Sequence, residues 1–240
     1  MQELLAGDPG RIRKLLVQRE RERSLESLAA RARELTISVE FVDRELLERT
    51  MLARGSAPGL ARGIVAVAAP PRLFSIEDAL DGTIAPRRTA QGRELLVALD
   101  GVQDPQNLGA IIRSAEFFGA TAILWTRDRA VGLSPTVVRA SAGATERMPL
   151  IVETNLVRAV DVCKQSGYWA LGTVVDGRPL REICAEGLPE RLVVVLGSEG
   201  RGIRRLTRER CDWLATIGGA GEVGSLNVSA AAAVILSTVG

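Results

Sequence analysis

From Arg93 to the C-terminus, short apolar runs alternate with amphipathic stretches, and this alternation constrains the fold more than any other feature of the sequence. Residues 95–99, 122–125, 169–173, 192–196 and 213–217 read as strands, and residues 108–118, 135–141, 156–166 and 203–210 as helices. Alternating β and α units predict an α/β domain with a mostly parallel sheet and helices on both faces. The run 192–196 (Leu-Val-Val-Val-Leu) has no polar break, as a central strand requires. In such sheets ligands sit beyond the carboxyl ends of the strands. The loops to inspect therefore follow Leu99, Thr173, Leu196 and Ile217.

Residues 1–69 read as a separate small α/β unit. Ser24 is placed to cap a helix whose apolar face is Leu25, Leu28, Ala29, Ala32 and Leu35. Ile37, Val39 and Phe41 alternate as a strand, Asp43 is placed to cap a helix through Leu46 and Leu47, and residues 63–68 form another strand. Residues 70–92 hold Pro70, Pro71, Pro86 and an Asp81-Gly82 turn signal, and read as a linker with one short helix near 76–80. The expected catalytic domain is then 93–240.

Composition excludes several classes. Apolar residues make up 46% of the 240, too many for a disordered chain. The longest apolar run, 230–236, is too short to span a bilayer, and the first thirty residues are too charged for a signal peptide, so a soluble, cytoplasmic protein is expected. Three distant cysteines give neither a disulfide framework nor a CxxC zinc site. With no histidine, imidazole catalysis and histidine metal sites are out, and no metal is expected. The net charge of +2 leaves the partner open, although only Lys14 and Lys164 are lysines and the remaining cations are arginines suited to phosphate.

Three of the four loops are unusual. The first, 100–115, carries Asn107 and Arg113. Six positions apart, they do not share a helical stripe, but they can converge if Asn107 belongs to the loop; equally, Asn107 can be a cap and Arg113 a solvated residue. The second, 197–203, is glycine-rich and holds Glu199, a carboxylate able to accept hydrogen bonds or simply to favour a helix start. Arg201, Arg204 and Arg205 follow, either as a phosphate-contacting face or as a solvated one. The third, 218–229, includes Gly219, Gly221 and Gly224 in a GxGxxG pattern after a strand. No acidic residue follows Glu222 to hold a ribose, so a dinucleotide site is rejected.

Together these loops resemble the three motifs of the SpoU family of RNA ribose methyltransferases: residues 100–115 with Asn107, Gly109 and Arg113; residues 196–203; and residues 225–229. Residues 140–149, 154–156 and 204–209 look like the branch acting on 23S ribosomal RNA. The resemblance implies S-adenosylmethionine as cofactor, methyl transfer to a ribose 2′-OH, and a homodimer whose sites are completed across the interface. It also implies a C-terminal trefoil knot, which the general avoidance of knots would not suggest. By the same resemblance the N-terminal unit holds RNA. Arg113 would draw the proton from the 2′-OH or stabilise the developing alkoxide, with Asn107, Glu199, Asn227 and Ser229 fixing the attack geometry. Thr173, Leu196, Gly197, Ile217 and Leu226 would hold the cofactor.

Transfer RNA as substrate, an antibiotic-resistance methylation of ribosomal RNA, and a non-catalytic RNA-binding protein are the rival readings. Three departures from the family pattern stand out. Gly218 and Gly219 replace the usual Pro-Met, predicting a looser cofactor loop, and the segment 59–63 lacks the usual His-Gln pair. The first residues align with the family's first helix, so its opening strand is expected to be missing and a sheet edge partly exposed.

Overall fold

The structure, a computed structural model, describes residues 1–53, 62–128, 131–219 and 224–240. The segment 59–63 and the glycine pattern 219–224 thus lie partly outside the described residues. The N-terminal unit runs α1 (Gln2–Ala6), β1 (Ile12–Gln18), α2 (Glu22–Glu34), β2 (Ser38–Val42), α3 (Arg44–Leu52) and β3 (Ile64–Ala68). Its three-stranded sheet has the order β2-β1-β3, with β2 parallel and β3 antiparallel to β1. Sequence periodicity missed β1 because Leu15, Leu16 and Val17 are buried consecutively, one face under α1 and α2 and the other under α3. Asp43 caps α3 as expected, accepting from Leu46 N at 2.7 Å. Ser24 does not cap α2. The helix begins earlier, at Glu22, and the Ser24 hydroxyl instead donates to Arg21 O at 2.9 Å.

The larger unit continues with β4 (Leu73–Phe74), α4 (Ile76–Leu80), β5 (Glu94–Asp100), α5 (Pro105–Phe117), β6 (Ala122–Thr126), α6 (Pro135–Ala140), β7 (Leu150–Glu153) and α7 (Leu156–Gln165). It ends with β8 (Trp169–Pro179), α8 (Leu180–Ala185), β9 (Arg191–Gly197), α9 (Arg205–Arg208), β10 (Trp213–Thr216) and α10 (Val228–Val239). Its seven strands are all parallel, in the order β10-β8-β9-β5-β6-β7-β4. The run 192–196 is the core of β9, each residue at most 1% exposed, between β8 and β5. Five such side chains are worth ~1.5–3 kcal/mol apiece in burial, which fixes this strand at the sheet centre.

One face of the sheet is covered by α5, α6, α8 and α10, the other by α4, α7 and the approach to α9. The expected helix 203–210 is shorter, confined to Arg205–Arg208. Strands β4 and β7 and helix α8 were not expected. The stretch 70–92 holds the expected short helix, capped by Ser75 and Asp78 in a reciprocal box, and also contributes β4 to the sheet edge. The buried carboxylate of Glu153 holds this piece down by accepting from Ile76 N at 2.8 Å. The two units meet where Arg11 spans Glu146, at 2.6 Å, and the Ala69 carbonyl, at 2.9 Å from Nη2. Among the described residues no helix is long and apolar enough to cross a membrane.

Candidate active site

The order of strands places β5, β8, β9 and β10 side by side, and the loops after Leu99, Leu196 and Ile217 leave from their carboxyl ends. The loop expected after Thr173 is absent, because β8 runs on to Pro179 beside β10. The loop after β9 is unusually tight. A Cβ on Gly197 would stand 2.1 Å from the carbonyl carbon of Gly202, so only glycine fits. Ser198 and Gly202 exchange backbone bonds, Gly202 N to Ser198 O at 2.8 Å and Ser198 N to Gly202 O at 3.2 Å. Gly200 and Gly202 take φ of +77° and +63° to make this return. Glu199 is thereby carried at the tip of a closed turn.

Glu199 meets two amides there. Its Oε1 accepts from Asn107 Nδ2 at 3.0 Å and from Asn227 Nδ2 at 2.6 Å, and Asn227 Nδ2 also reaches Asn107 Oδ1 at 3.0 Å. A carboxylate can only accept, so both amides must turn their NH2 groups toward it. Asn227 Oδ1 is then left to cap α10, accepting from Ser229 N at 2.9 Å and Ser229 Oγ at 2.6 Å. The four residues Asn107, Glu199, Asn227 and Ser229, taken from the start of α5, the loop after β9 and the start of α10, form one network. Asn107 does not cap its helix. Asp104 does so, accepting from Gln106 N at 2.8 Å, and Asn107 lies buried in the first turn of α5.

Two cavities flank this network. The larger, about 630 Å³, is lined by all five expected cofactor residues, Thr173, Leu196, Gly197, Ile217 and Leu226. The smaller, about 420 Å³, is polar and holds Asp100, Asp104, Asn107, Arg201 and Arg204. Ser198, Glu199 and Val228 line both, so the carboxylate stands in their common wall. Among the described residues no group of His, Cys, Asp and Glu is arranged to hold a metal ion.

The arginines separate into distinct situations. Arg113 shares α5 with Asn107 but points about 120° away around the helix. It is exposed, lines neither cavity, and has no hydrogen bond or ion pair among the described residues. Arg201 lines the smaller cavity. Arg204 is engaged with the buried carboxylate of Asp100 through both its Nε and its backbone N–H, the latter at 2.9 Å. Arg205 is on the outer surface, paired with Glu209 at 2.6 Å. Asp100 was not singled out from sequence as a functional residue; its place at the last position of a strand before a ligand loop was the available signal.

The chain is similar to known proteins. Residues 94–237 match the family model described as the SpoU rRNA methylase family. A 23S rRNA (guanosine-2′-O-)-methyltransferase, RlmB, from Coxiella burnetii is 41% identical over 98% of this chain and 90% of the relative. Its counterpart from Pseudomonas putida is 37% identical, over 98% and 91%. Among solved structures, the SpoU methyltransferase AviRb from Streptomyces viridochromogenes in complex with AdoMet superimposes with a TM-score of 0.76 at 25% identity, over 99% of this chain and 86% of that one. The three motif loops that converge on Glu199 lie inside the matched span, and on that ground the chain belongs to the SpoU rRNA methylase family.

Proposed function

We propose that this protein transfers a methyl group from S-adenosylmethionine to a ribose 2′-OH of 23S ribosomal RNA. The observation that carries the reading is the Asn107–Glu199–Asn227 network, whose Glu199 stands in the wall between a mostly apolar cavity and one lined largely by polar and charged side chains. The larger cavity suits the cofactor: its volume is in the range of small-molecule sites, and Leu196, Ile217 and Leu226 offer apolar surface for adenine beside glycine backbone free of side chains. When bound, S-adenosylmethionine supplies an electrophilic methyl group and needs no metal to activate it. The smaller cavity, with Arg201 and the Asn107 amide, suits a ribose and its phosphate. The names of the relatives support ribosomal rather than transfer RNA.

The remaining chemistry is deprotonation of a poor nucleophile. Arg113 orients the 2′-OH and stabilises the oxyanion as its proton passes to solvent; the guanidinium serves as a strong donor, being a reluctant base. The 2′-oxygen bonds the methyl carbon as the carbon–sulfur bond breaks, leaving the neutral thioether S-adenosylhomocysteine. Arg113 lines neither of the two cavities of its own chain, so in this reading it acts in the site of a second copy, as Arg113 of the partner subunit. Support for a homodimer comes from the same face of α5. Phe117, one turn beyond Arg113, is 78% exposed, and Val234 on the adjoining α10 is exposed as well. In this reading residues 1–69 hold RNA, residues 70–92 link the units, residues 93–240 carry the chemistry with the family's C-terminal knot, and the protein works in the cytoplasm with its ribosomal substrate.

Incubating the protein with methyl-labelled S-adenosylmethionine and unmodified 23S RNA tests this directly. One ribose should gain label, and a 2′-deoxy nucleotide at that position should abolish it. Label on a base, or only on transfer RNA, would refute the assignment.

A further inference from the structure

We infer that Asp100 is a positioning residue for methyl transfer: by closing the 197–204 loop through Arg204, it holds Glu199 where Asn107 and Asn227 can both reach it. The inference rests on the function proposed above. Asp100 is the last residue of β5 and only 1% exposed. Its backbone lies in register opposite Gly197, where the loop begins. Its carboxylate receives Arg204, where the loop ends: Oδ2 accepts from the backbone N at 2.9 Å and Oδ1 from Nε. Both ends of an eight-residue excursion are therefore anchored to one residue of the neighbouring strand.

The loop needs such an anchor. Two of its residues are in the left-handed region, and inside the turn only the Ser198–Gly202 backbone pair holds it shut. Glu199 itself is exposed, and Oε1 must meet amides from α5 and from the start of α10 at once. A loop free to relax at Arg204 would keep one of those bonds more easily than both. Misplacement on the scale of 1 Å in a catalytic constellation costs about 10²-fold in rate. Arg204, in this account, is committed to Asp100 and acts on the loop rather than as a mobile phosphate contact.

The two roles separate in kinetics. Arg204→Ala removes the Nε bond and leaves the backbone bond; Asp100→Ala removes both; Asp100→Asn keeps one acceptor. Turnover at saturating RNA and S-adenosylmethionine should fall about 10-fold for Arg204→Ala and Asp100→Asn, and up to about 100-fold for Asp100→Ala. KM for RNA should change less than about 3-fold. The double variant Asp100→Asn/Arg204→Ala should be no worse than its poorer parent, because each acts through the other. A rise in KM with kcat intact for Arg204→Ala would make it an RNA contact and overturn the inference, as would unchanged turnover in both single variants or additive losses in the double one. If Asp100→Ala fails to fold, the half-exposed Arg204 side chain still carries the test. Failure of the wild-type protein to methylate ribosomal RNA would instead remove the functional reading itself.

Discussion

The two helical faces of the large sheet are finished differently. On the face of α4 and α7, polar side chains are satisfied within the chain: Arg158 pairs with Glu77 at 2.6 Å, Lys164 with Asp212 at 2.7 Å, and Arg210 with Asp161 at 3.1 Å. On the face of α5 and α10, Phe117 and Val234 lie open, and Arg113 has no partner among the described residues. Both faces bury continuous apolar cores against the sheet, so the difference is confined to their outer surfaces. On the first face the charged side chains named above are paired within the chain. The second presents an aromatic ring and an uncommitted cation one helical turn apart, as a surface does when a second protein completes it.

The strongest way to break that contrast is at Arg113. Arg113→Ala should reduce methyl transfer by about 10²- to 10³-fold, as removal of an oxyanion-stabilising donor does. Affinity for S-adenosylmethionine, read by titration, should stay close to wild type, since Arg113 does not line the larger cavity. Mixing this variant with an inactive Glu199→Gln variant provides the sharper form. If the site is shared, mixed dimers hold one site with both native residues, and part of the activity returns. No recovery after subunit exchange would place the arginine in its own chain's site.

A smaller effect is expected at Phe117. Phe117→Glu should shift sedimentation from dimer to monomer and lower turnover by about 10²-fold through misplacement of Arg113. The matched control is Glu77→Ala on the opposite face, which breaks an exposed pair worth ~0–1 kcal/mol and should leave both association and turnover unchanged. Equal effects on the two faces would erase the distinction between them.

The catalytic half was legible because its fold rests on long apolar runs: strands 95–99 and 192–196 and helices 108–118 and 156–166 reappear within a few residues. The four polar residues of the network are named through the resemblance to the SpoU motifs; their own chemistry leaves Asn107 and Glu199 open between a site and a helix start. Their wiring was not legible. That Asn107 is helical and still meets Glu199 depends on Asp104 starting α5 three residues earlier, and on α10 delivering Asn227 from the far end of the chain. Arg204 shows the same limit: its side chain looked free in a run of arginines, and only the register of β5 against β9 brings Asp100 beneath it. Strand β1 escaped because a strand buried on both sides has no alternation, and β4 because two residues make no pattern.

The smallest effect sharpens the contrast from the buried side. Cys163, on α7, lies in the core of the finished face, and burial pushes its thiol from 9.0 up to about 12. A raised folded-state value means that the folded protein holds this proton more tightly than the unfolded chain. The stabilisation is fully present below pH 9 and is lost as pH rises from 9 toward 12. Between pH 8 and 10 the loss is about 1.4 kcal/mol, a few degrees in Tm for a chain of this size. Cys163→Ala should be less stable at every pH, yet its Tm should fall less steeply across that interval, and the difference in slope is the measurement. The α5 and α10 surface contains no such thiol, so the sedimentation coefficient should hold at its neutral value while Tm declines. Dissociation at pH 10 ahead of any fall in Tm would mean that the open face carries an alkaline-sensitive group of its own, and that water alone does not explain how the two faces differ.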